Sequence, residues 1–322
     1  MNYNFFRGKA NKIYLVLIIF LIITNVTSFG ILIYRNNLDA AERFGSQYPL
    51  INVARNFIDQ KHFITNLQPL RDDLNKLVVE NGPSAISIYF EFLNTGANIS
   101  INPDAKIWPA SLVKVPLAMG VMKKIENGDW MEENELVLMK DDRDLAWGDL
   151  YKKPIGSRFT IGFLLKELLT NSDNTAFRIL YRNLSTDELQ DIIRAVGLDE
   201  LFDQEGKISA KEYSRIFRSL YTSSYLKREN SQKILKWLAE SPYQEYLGQG
   251  IPEKITFSHK IGDNKNVDVI LDSGIVYIPN RPYLITVTID FSQGDMNRDK
   301  ALELIKIISE KSYQYINDYV QS

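Results

Sequence analysis

The chain has 322 residues, of which 45% are hydrophobic and 24% are charged, so it is long enough for one large or two small globular domains with a sizeable core. A formal net charge of −2 gives no basic surface for nucleic acid, and this argues against a nucleic-acid-binding function. The absence of cysteine excludes disulfides, a thiol nucleophile and a thiolate zinc site, and only two histidines are present, so we expect neither metal nor cofactor.

Residues 13–34 form an uncharged apolar stretch near the N-terminus. A helix of about 22 residues is roughly 33 Å long, which is enough to span a bilayer. Basic residues precede the stretch and acidic residues follow it, so the positive-inside rule places residues 1–12 in the cytoplasm and the remainder outside. We expect an uncleaved, single-pass signal anchor in the cell membrane. The alternative is a cleaved signal peptide and a secreted protein, although Val26-Thr27-Ser28 is a weak cleavage site.

The next residues, 35–56, are mixed and polar and predict a tether, so we expect the globular domain at 57–322. Helical periodicity predicts a first helix from Phe57 to about Glu80. Ala85–Phe92 alternates and is rich in β formers, and after a short turn Ala97–Ile101 predicts its partner strand.

Ser111 opens the apolar segment Pro109–Met119, which we interpret as the start of a helix. Lys114 follows three residues later on the same helix face, so its amine can reach the Ser111 hydroxyl. A serine nucleophile needs an adjacent base, and a lysine among apolar side chains loses part of its preference for the charged form. The motif alone is weak evidence, because a second copy at Ser224 and Lys227 reads as a solvated turn or helix face.

The pattern from residue 115 to about 247 is almost wholly helical and predicts a helical lobe at about 111–249. The predicted helices are Lys114–Asn127, Ile161–Thr170, Asn174–Asn183, Asp187–Val196, Ser209–Tyr221 and Ser231–Glu240. Predicted strands follow at Ile255–His259, Val267–Ile278 and Tyr283–Phe291, and the last predicted helix is Asp299 to about Val320. This order implies an α+β fold, a mostly antiparallel five-stranded sheet flanked by terminal helices with an all-helical lobe beside it. The cleft between the lobes would be the site.

Two more short motifs fall where these lobes would meet. Asn171-Ser172-Asp173-Asn174 lies between two predicted helices, and Lys260-Ile261-Gly262 ends a predicted strand. The order Ser-x-x-Lys, Ser-Asp-Asn, Lys-x-Gly resembles the class A β-lactamase-like family of penicillin-recognising serine hydrolases. The resemblance includes the strand Asp272–Tyr277 and extends from about Phe57 to the C-terminus. Taken in isolation, these motifs are more typical of a helix cap and of a surface strand lysine.

The resemblance implies catalytic roles for four side chains. Ser111 would attack a carbonyl group while Lys114 accepts or relays its proton. Ser172 with Lys260 would then pass a proton to the departing nitrogen.

The resemblance also implies how a substrate would be held. Asn174 would hydrogen-bond the substrate's side-chain amide, and Lys260 would attract the carboxylate that β-lactams share with D-Ala-D-Ala peptides. Gly262 would allow close backbone approach at the strand edge. The backbone N–H groups of Ser111 and Asp263 would form the oxyanion hole.

Two departures from the family pattern matter. Ile261 stands where the family usually has a hydroxyl group, so we expect one hydrogen bond to the substrate carboxylate to be missing and β-lactam binding to be weakened. Class A β-lactamases also carry a loop in which a glutamate, followed four residues later by asparagine, activates the deacylating water. No glutamate between the second and third motifs has that partner; Glu188, Glu200, Glu205, Glu212, Glu229, Glu240 and Glu245 all lack it. The connection from Gly197 to Ser209 is also short for such a loop.

We therefore expect a membrane-anchored serine hydrolase that is acylated at Ser111 by β-lactams or by D-Ala-D-Ala peptides of the cell wall, and that deacylates slowly. The alternatives are a D,D-carboxypeptidase of peptidoglycan and a non-catalytic penicillin- or peptidoglycan-binding module. The intact Ser111, Lys114, Ser172 and Lys260 favour an enzyme, whereas the short connection and Ile261 favour the binding module.

Overall fold

The computed structural model describes residues 20–33, 48–51, 66–82, 85–198, 206–264, 267–292 and 296–319. The chain divides into two units, residues 1–49 and 50–322. The first unit contains helix α1 (20–33), whose side chains are almost all exposed. The other residues of the predicted anchor, 13–19 and 34, and residues 35–47 and 52–56 of the predicted tether lie outside the described residues. Within the described ranges, no helix combines the length and the apolar character that a membrane crossing requires.

The second unit is built on one five-stranded antiparallel sheet. Its strands are β1 (Ile86–Phe92), β2 (Ala97–Ile101), β7 (Phe257–Asn264), β8 (Val269–Val276) and β9 (Tyr283–Asp290). They lie in the order β2-β1-β9-β8-β7, and every neighbouring pair is antiparallel. The predicted hairpin and five-stranded antiparallel sheet are confirmed. Strand β7 is an edge strand, so one side of its backbone is not paired within the sheet.

Helices cover both faces of this sheet, which explains why β1, β8 and β9 are buried along nearly their whole length. One face packs against α2 (Gln68–Asn81) and α9 (Arg298–Tyr319) and contains alternate apolar residues of β1 such as Ile88 and Phe90. The opposite face meets α7 (Ala210–Thr222).

A lobe of helices lies between β2 and β7 in the chain. Its helices are α3 (Lys114–Asn127), α4 (Ile161–Thr170), α5 (Asn174–Arg182), α6 (Thr186–Ala195), α7 and α8 (Arg228–Ala239). The prediction that this lobe is all-helical is wrong, because β4 (Glu135–Val137) pairs with β5 (Arg158–Thr160) inside it. In addition, β6 (Ile208–Ser209) just before α7 pairs with β3 (Lys106–Ile107) just before Ser111.

Two predicted boundaries are also wrong. The first predicted helix extends over 57–80, but residues 66 and 67 are not helical, α2 begins at Gln68, and residues 57–65 lie outside the described residues. The strand predicted to end at His259 continues to Asn264 as β7, so that Lys260-Ile261-Gly262 lies within the strand and not at its end. Polar residues and glycine are poor β formers, but here Lys260 contacts Ser172, Gly262 lies against residues 109 and 110, and Asp263 pairs with Arg298.

Candidate active site

Ser111 lies in a 3-10 turn, Ala110–Val113, that leads directly into α3 at Lys114. The turn is tight, since Ala110 has a positive φ of 46° and the Leu112 N–H donates to the Pro109 carbonyl at 2.9 Å. The Tyr213 hydroxyl of α7 donates to the Leu112 carbonyl at 2.8 Å. The nucleophile turn, residues 109–113, is therefore fixed both by its own backbone and by a buried side chain of another helix.

Lys114 is the centre of the site. Its Nζ lies 3.0 Å from Ser111 Oγ, 3.0 Å from Ser172 Oγ, 2.6 Å from the Ser172 carbonyl oxygen and 2.6 Å from Asn174 Oδ1. The side chain is only 2% exposed. The structure thus brings the two motif serines, Ser111 and Ser172, and the motif asparagine, Asn174, together around the amine of Lys114.

The surroundings of Lys114 favour its neutral form. Burial, followed by repulsion from Lys260, holds the pKa of Lys114 well below its ordinary value, while Asp173 and Asp144 oppose the shift. A neutral amine has two protons and one lone pair. The two carbonyl-type oxygens at 2.6 Å can only accept, so they suit the two N–H groups, and the lone pair is left for a hydroxyl proton. The arrangement is therefore compatible with Lys114 acting as a base toward Ser111.

Lys260 projects from β7 into the same site. Its Nζ donates to Ser172 Oγ at 2.8 Å and to the Ile261 carbonyl at 3.1 Å. Burial lowers the pKa of Lys260 to about 7, against an opposing effect of Asp272. The Ser172 hydroxyl consequently lies between two amines, which allows a proton to pass through it.

The loop before α5 positions Ser172 and Asn174 on either side of a buried cap. Asp173 Oδ1 accepts from the Ala176 N–H at 2.8 Å and so caps α5, and its Oδ2 accepts from the N–H groups of Asp149 and Leu150. Ser172 adopts a positive φ of 53°. The helix cap and the candidate site are therefore the same segment, and the two interpretations of Ser172-Asp173-Asn174 do not exclude each other.

Asn174 has both ends of its amide engaged. Oδ1 accepts from Lys114 at 2.6 Å, and Nδ2 donates to Asp144 Oδ1 at 3.0 Å. Partial burial alone would raise the pKa of Asp144, but hydrogen bonds from Asn174, from the Ala146 N–H and from Arg178 outweigh it and lower that pKa. Asp144 is thus held as a carboxylate beside the site.

The edge strand β7 approaches the nucleophile turn closely at Gly262. A Cβ added at Gly262 would lie 3.1 Å from the Pro109 carbonyl oxygen and 3.3 Å from the Ala110 Cβ, so a side chain here would push the strand from the turn. The next residue, Asp263, directs its side chain to the other face of β7, where its Oδ2 accepts from the Tyr246 hydroxyl at 2.7 Å and pairs with Arg298. Its backbone N–H remains our candidate for the oxyanion hole.

Ile261 does not offer a polar group to the site. Its side chain is buried in the apolar cluster between the sheet and the terminal helices. The expected loss of a hydrogen bond to a substrate carboxylate stays a prediction.

Two of the described glutamates between α5 and β7 are engaged in helix caps and ion pairs away from Ser111. Glu188 caps α6 and contacts Lys124, and Glu212 caps α7 and pairs with Lys106. Residues 199–205, which include Glu200 and Glu205, lie outside the described residues.

The second Ser-x-x-Lys motif has a different environment. The Ser224 hydroxyl donates to the Ser219 hydroxyl at 3.1 Å, and Lys227 precedes α8 with an exposed side chain. This agrees with the interpretation of that motif as a solvated turn.

Sequence reasoning missed Asp144 and Tyr213. Asp144 lies in the acidic run Asp141-Asp142-Arg143-Asp144, which in sequence looks like a solvated surface. Tyr213 is one of several aromatic residues at helical spacing in α7, so nothing in the sequence separates it from an ordinary core residue.

Comparisons with known proteins agree on one family. The sequence profile of the β-lactamase enzyme family matches residues 69–316. No curated protein sequence matched the chain. Solved structures that are similar include PBP-A, with 21% identity over 78% of this chain and 97% of that chain at a TM-score of 0.70, and a β-lactamase from Sphaerobacter thermophilus, with 19% identity over 79% and 98% at 0.71. An ancestral class A β-lactamase has 21% identity over 76% and 99% at a TM-score of 0.68.

These structural similarities lie below 25% identity and concern the fold. The profile match, by contrast, covers most of the chain and includes all three motifs. The chain therefore belongs to the β-lactamase enzyme family.

Proposed function

We propose that the protein is a serine hydrolase whose Ser111 is acylated by β-lactams or by D-Ala-D-Ala peptides, and whose acyl-enzyme is hydrolysed slowly. The observation that carries the proposal is the position of Lys114 Nζ, 3.0 Å from both Ser111 Oγ and Ser172 Oγ. A penicillin is a reasonable first substrate, because a mutant of the structurally similar PBP-A was determined as an acyl-enzyme complex with penicillin G.

The contacts support the following acylation step. Ser111 Oγ forms a bond to the substrate carbonyl carbon, and its proton moves to neutral Lys114. The carbonyl oxygen carries the negative charge, which the backbone N–H groups of Ser111 and Asp263 would stabilise. When the C–N bond breaks, the nitrogen takes the Ser172 hydroxyl proton, and Lys260 or Lys114 returns a proton to Ser172. The product is an ester at Ser111 and a free amine.

Substrate binding follows from the charges of the site. Lys260 would attract the carboxylate next to the scissile bond, and Asn174 Nδ2 would donate to the amide carbonyl of the substrate side chain. Gly262 allows the nucleophile turn to lie directly against β7, which brings Ser111 next to the strand edge where the substrate would bind.

Deacylation should be the slow step. Glu188 and Glu212 are committed to caps and ion pairs, and Glu240 pairs with Lys166, so none of these three is free to act as a base on the acyl ester. Water at the ester carbonyl would then lack the assistance of a glutamate base, and a positioned general base typically accelerates a reaction by a factor of about 10²–10⁴.

A time course with a labelled penicillin tests this proposal. We expect a burst of one acyl equivalent, followed by a slow steady rate. Peptide mapping should place the label on Ser111, and Ser111→Ala should abolish it, whereas the control Ser224→Ala should label like the parent. Fast steady turnover without accumulated acyl-enzyme would refute slow deacylation and make Glu200 and Glu205 the first residues to replace.

The same experiment separates the alternatives. Release of D-Ala from a D-Ala-D-Ala peptide, with penicillin as an inhibitor, would identify a D,D-carboxypeptidase. Saturable penicillin binding without any covalent label would identify a binding module and overturn the assignment of Ser111 as a nucleophile.

We also propose that residues 13–34 anchor the protein in the cell membrane with the enzymatic domain outside. The support is the uncharged sequence of that stretch and the helical conformation of its described part, 20–33. Full-length protein should stay in the membrane fraction after an alkaline carbonate wash, and a variant lacking residues 1–35 should be released. Complete release of the full-length chain would refute the anchor.

A further inference from the structure

We propose that Asp144 is a positioning residue of the active site, which fixes the amide of Asn174 in the orientation that both Lys114 and the substrate require. The inference rests on the proposed function, and it adds to the site a residue outside the three sequence motifs. The observation behind it is the chain of contacts from the Asp144 carboxylate through the Asn174 amide to Lys114 Nζ.

Asp144 is itself held firmly by α5. Its backbone N–H donates to Thr175 Oγ1 at 3.1 Å, and its Oδ2 accepts from Arg178 Nη2 at 2.8 Å and Nε at 3.2 Å. Its Oδ1 accepts from the Ala146 N–H and from Asn174 Nδ2, both at 3.0 Å. With both oxygens engaged, the carboxylate has a fixed position relative to the first turn of the helix that carries Asn174.

The carboxylate on one side of the Asn174 amide and the amine on the other favour one orientation. With Oδ1 toward Lys114 and Nδ2 toward Asp144, each end of the amide meets a group of complementary character. A flipped amide would turn its N–H groups to the amine of Lys114 and its carbonyl oxygen to a carboxylate. The contact between the carbonyl oxygen and the carboxylate would be repulsive, and the N–H groups would compete with the hydroxyl groups for the lone pair of Lys114, so Asp144 enforces the productive state.

This orientation has two consequences for catalysis. Asn174 Oδ1 occupies one N–H of Lys114, which helps to direct the lone pair of the amine to the hydroxyl groups. One of the two Nδ2 protons is committed to Asp144, so a single N–H, in a fixed direction, remains for the substrate amide. Asp144 acts through Asn174 and does not itself contact the reacting atoms.

The first test is the rate of penicillin acylation in Asp144→Asn. An asparagine at this position can either donate or accept, so it no longer selects the orientation of Asn174, and we expect acylation to slow about tenfold or more. The matched control is Asp149→Asn, which removes a charge from the same loop at an exposed side chain whose partner is Lys152. That control should acylate at the parental rate.

A double-mutant cycle separates positioning from loop stability. In an Asn174→Ala background the amide is absent, so Asp144→Asn should have little further effect on the acylation rate. If it keeps its full effect there, Asp144 acts by anchoring its loop through Arg178 and Thr175, and the proposal is wrong.

The pH profile provides a readout that a purely structural role would not change. The charged groups facing Lys114 are Lys260, Asp173 and Asp144, and the two carboxylates favour its ammonium form. Removing one of them should move the acid limb of the acylation profile to lower pH in Asp144→Asn. An unchanged limb would contradict the proposal.

A spectroscopic measurement makes the inference independent of β-lactam chemistry. In ¹⁵N-labelled full-length protein, the Nδ2 proton signals of Asn174, identified by their loss in Asn174→Ala, should change in Asp144→Asn and not in Asp149→Asn. If the parent takes no penicillin label but this result is obtained, the proposed function fails and the positioning role of Asp144 stands. Unchanged signals in Asp144→Asn overturn it.

Discussion

Lys114 has four oxygen acceptors within 3.0 Å of its Nζ, although an ammonium group has only three protons. Two of these acceptors are hydroxyl groups, which can also donate. A neutral amine has two N–H groups for the two carbonyl-type oxygens and one lone pair for a hydroxyl proton, so it can act as a base toward Ser111.

Replacement of Lys114 measures that role directly. We expect Lys114→Ala to slow penicillin acylation roughly a hundredfold or more, because a positioned general base contributes on that scale. Lys123→Ala, on the same helix but bonded to Glu126 and to the Tyr225 carbonyl, is the control and should react like the parent. Acylation of Lys114→Ala at the parental rate would remove this lysine from the mechanism.

The side chains of the site differ in how far sequence alone could predict them. Ser111 and Lys114 are three residues apart, so their contact follows from local geometry. Ser172 and Lys260 lie far from them in sequence, and only the family resemblance joined them to the site. Asp144 could not be predicted, because its role depends on the position of its loop against α5, and no local pattern in the sequence indicates that position.

At the scale of elements, the edge strand β7 shows why boundaries were harder to predict than elements. The sequence Lys260-Ile261-Gly262-Asp263 contains weak β formers, so the predicted strand stopped at His259. In the structure, Lys260 enters the site, Gly262 allows the nucleophile turn to approach, and Asp263 pairs with Arg298. At each of these three positions, tertiary contacts outweigh a low intrinsic β propensity. The same stretch of strand contributes to the candidate active site.

The connection between β4 and β5 provides a test of how tightly the Ser-Asp-Asn segment is held. Gly148 has a φ of +90°, and a Cβ there would lie 2.6 Å from the Asp173 Cα, whereas Gly156, with a φ of +87°, has no atom within 4 Å of an added Cβ. Gly156→Ala should therefore destabilise the protein only by backbone strain, about 1–2 kcal/mol. Gly148→Ala should lower the free energy of unfolding by clearly more than this. It should also slow acylation, because the added Cβ would displace Asp173, which lies between Ser172 and Asn174 in the chain.

Urea unfolding of the two variants, together with their acylation rates, checks this expectation. Equal loss of stability in Gly148→Ala and Gly156→Ala would mean that the backbone around Gly148 adjusts without strain and does not hold the Ser-Asp-Asn segment in place.

At the scale of the whole molecule, the site reduces the stability of the fold at neutral pH. Burial of Lys260 lowers its pKa to about 7, from an ordinary value of 10.5, and Lys114 is shifted in the same direction. Between about pH 7 and pH 10 the unfolded chain therefore binds more protons than the folded one, so the free energy of unfolding rises with pH in this window. Below about pH 7 Lys260 is charged in the folded protein, and burial of that charge lowers the free energy of unfolding by its full amount.

Replacing Lys260 by a neutral side chain of similar length should expose this effect. We expect the free energy of unfolding of Lys260→Met to rise less steeply than that of the parent between pH 7 and about pH 9.5, below the range where the tyrosines titrate. The control is Lys306→Met, at a half-exposed position on α9. Identical slopes for the parent and Lys260→Met would show that the buried lysine does not titrate in the folded state as proposed.

The sheet order has a consequence for the time at which the molecule can form. Strand β1 pairs with β9, and Phe92 faces Tyr283 in that pair. At a synthesis rate of about 5–20 residues per second, a ribosome needs about 10–40 s to proceed from the first residue to the second. During that interval the hairpin β1–β2 has an unpaired inner edge and an uncovered apolar face, which favours aggregation. The sheet that brings Lys260 next to Ser111 is therefore complete only after the last strand has emerged.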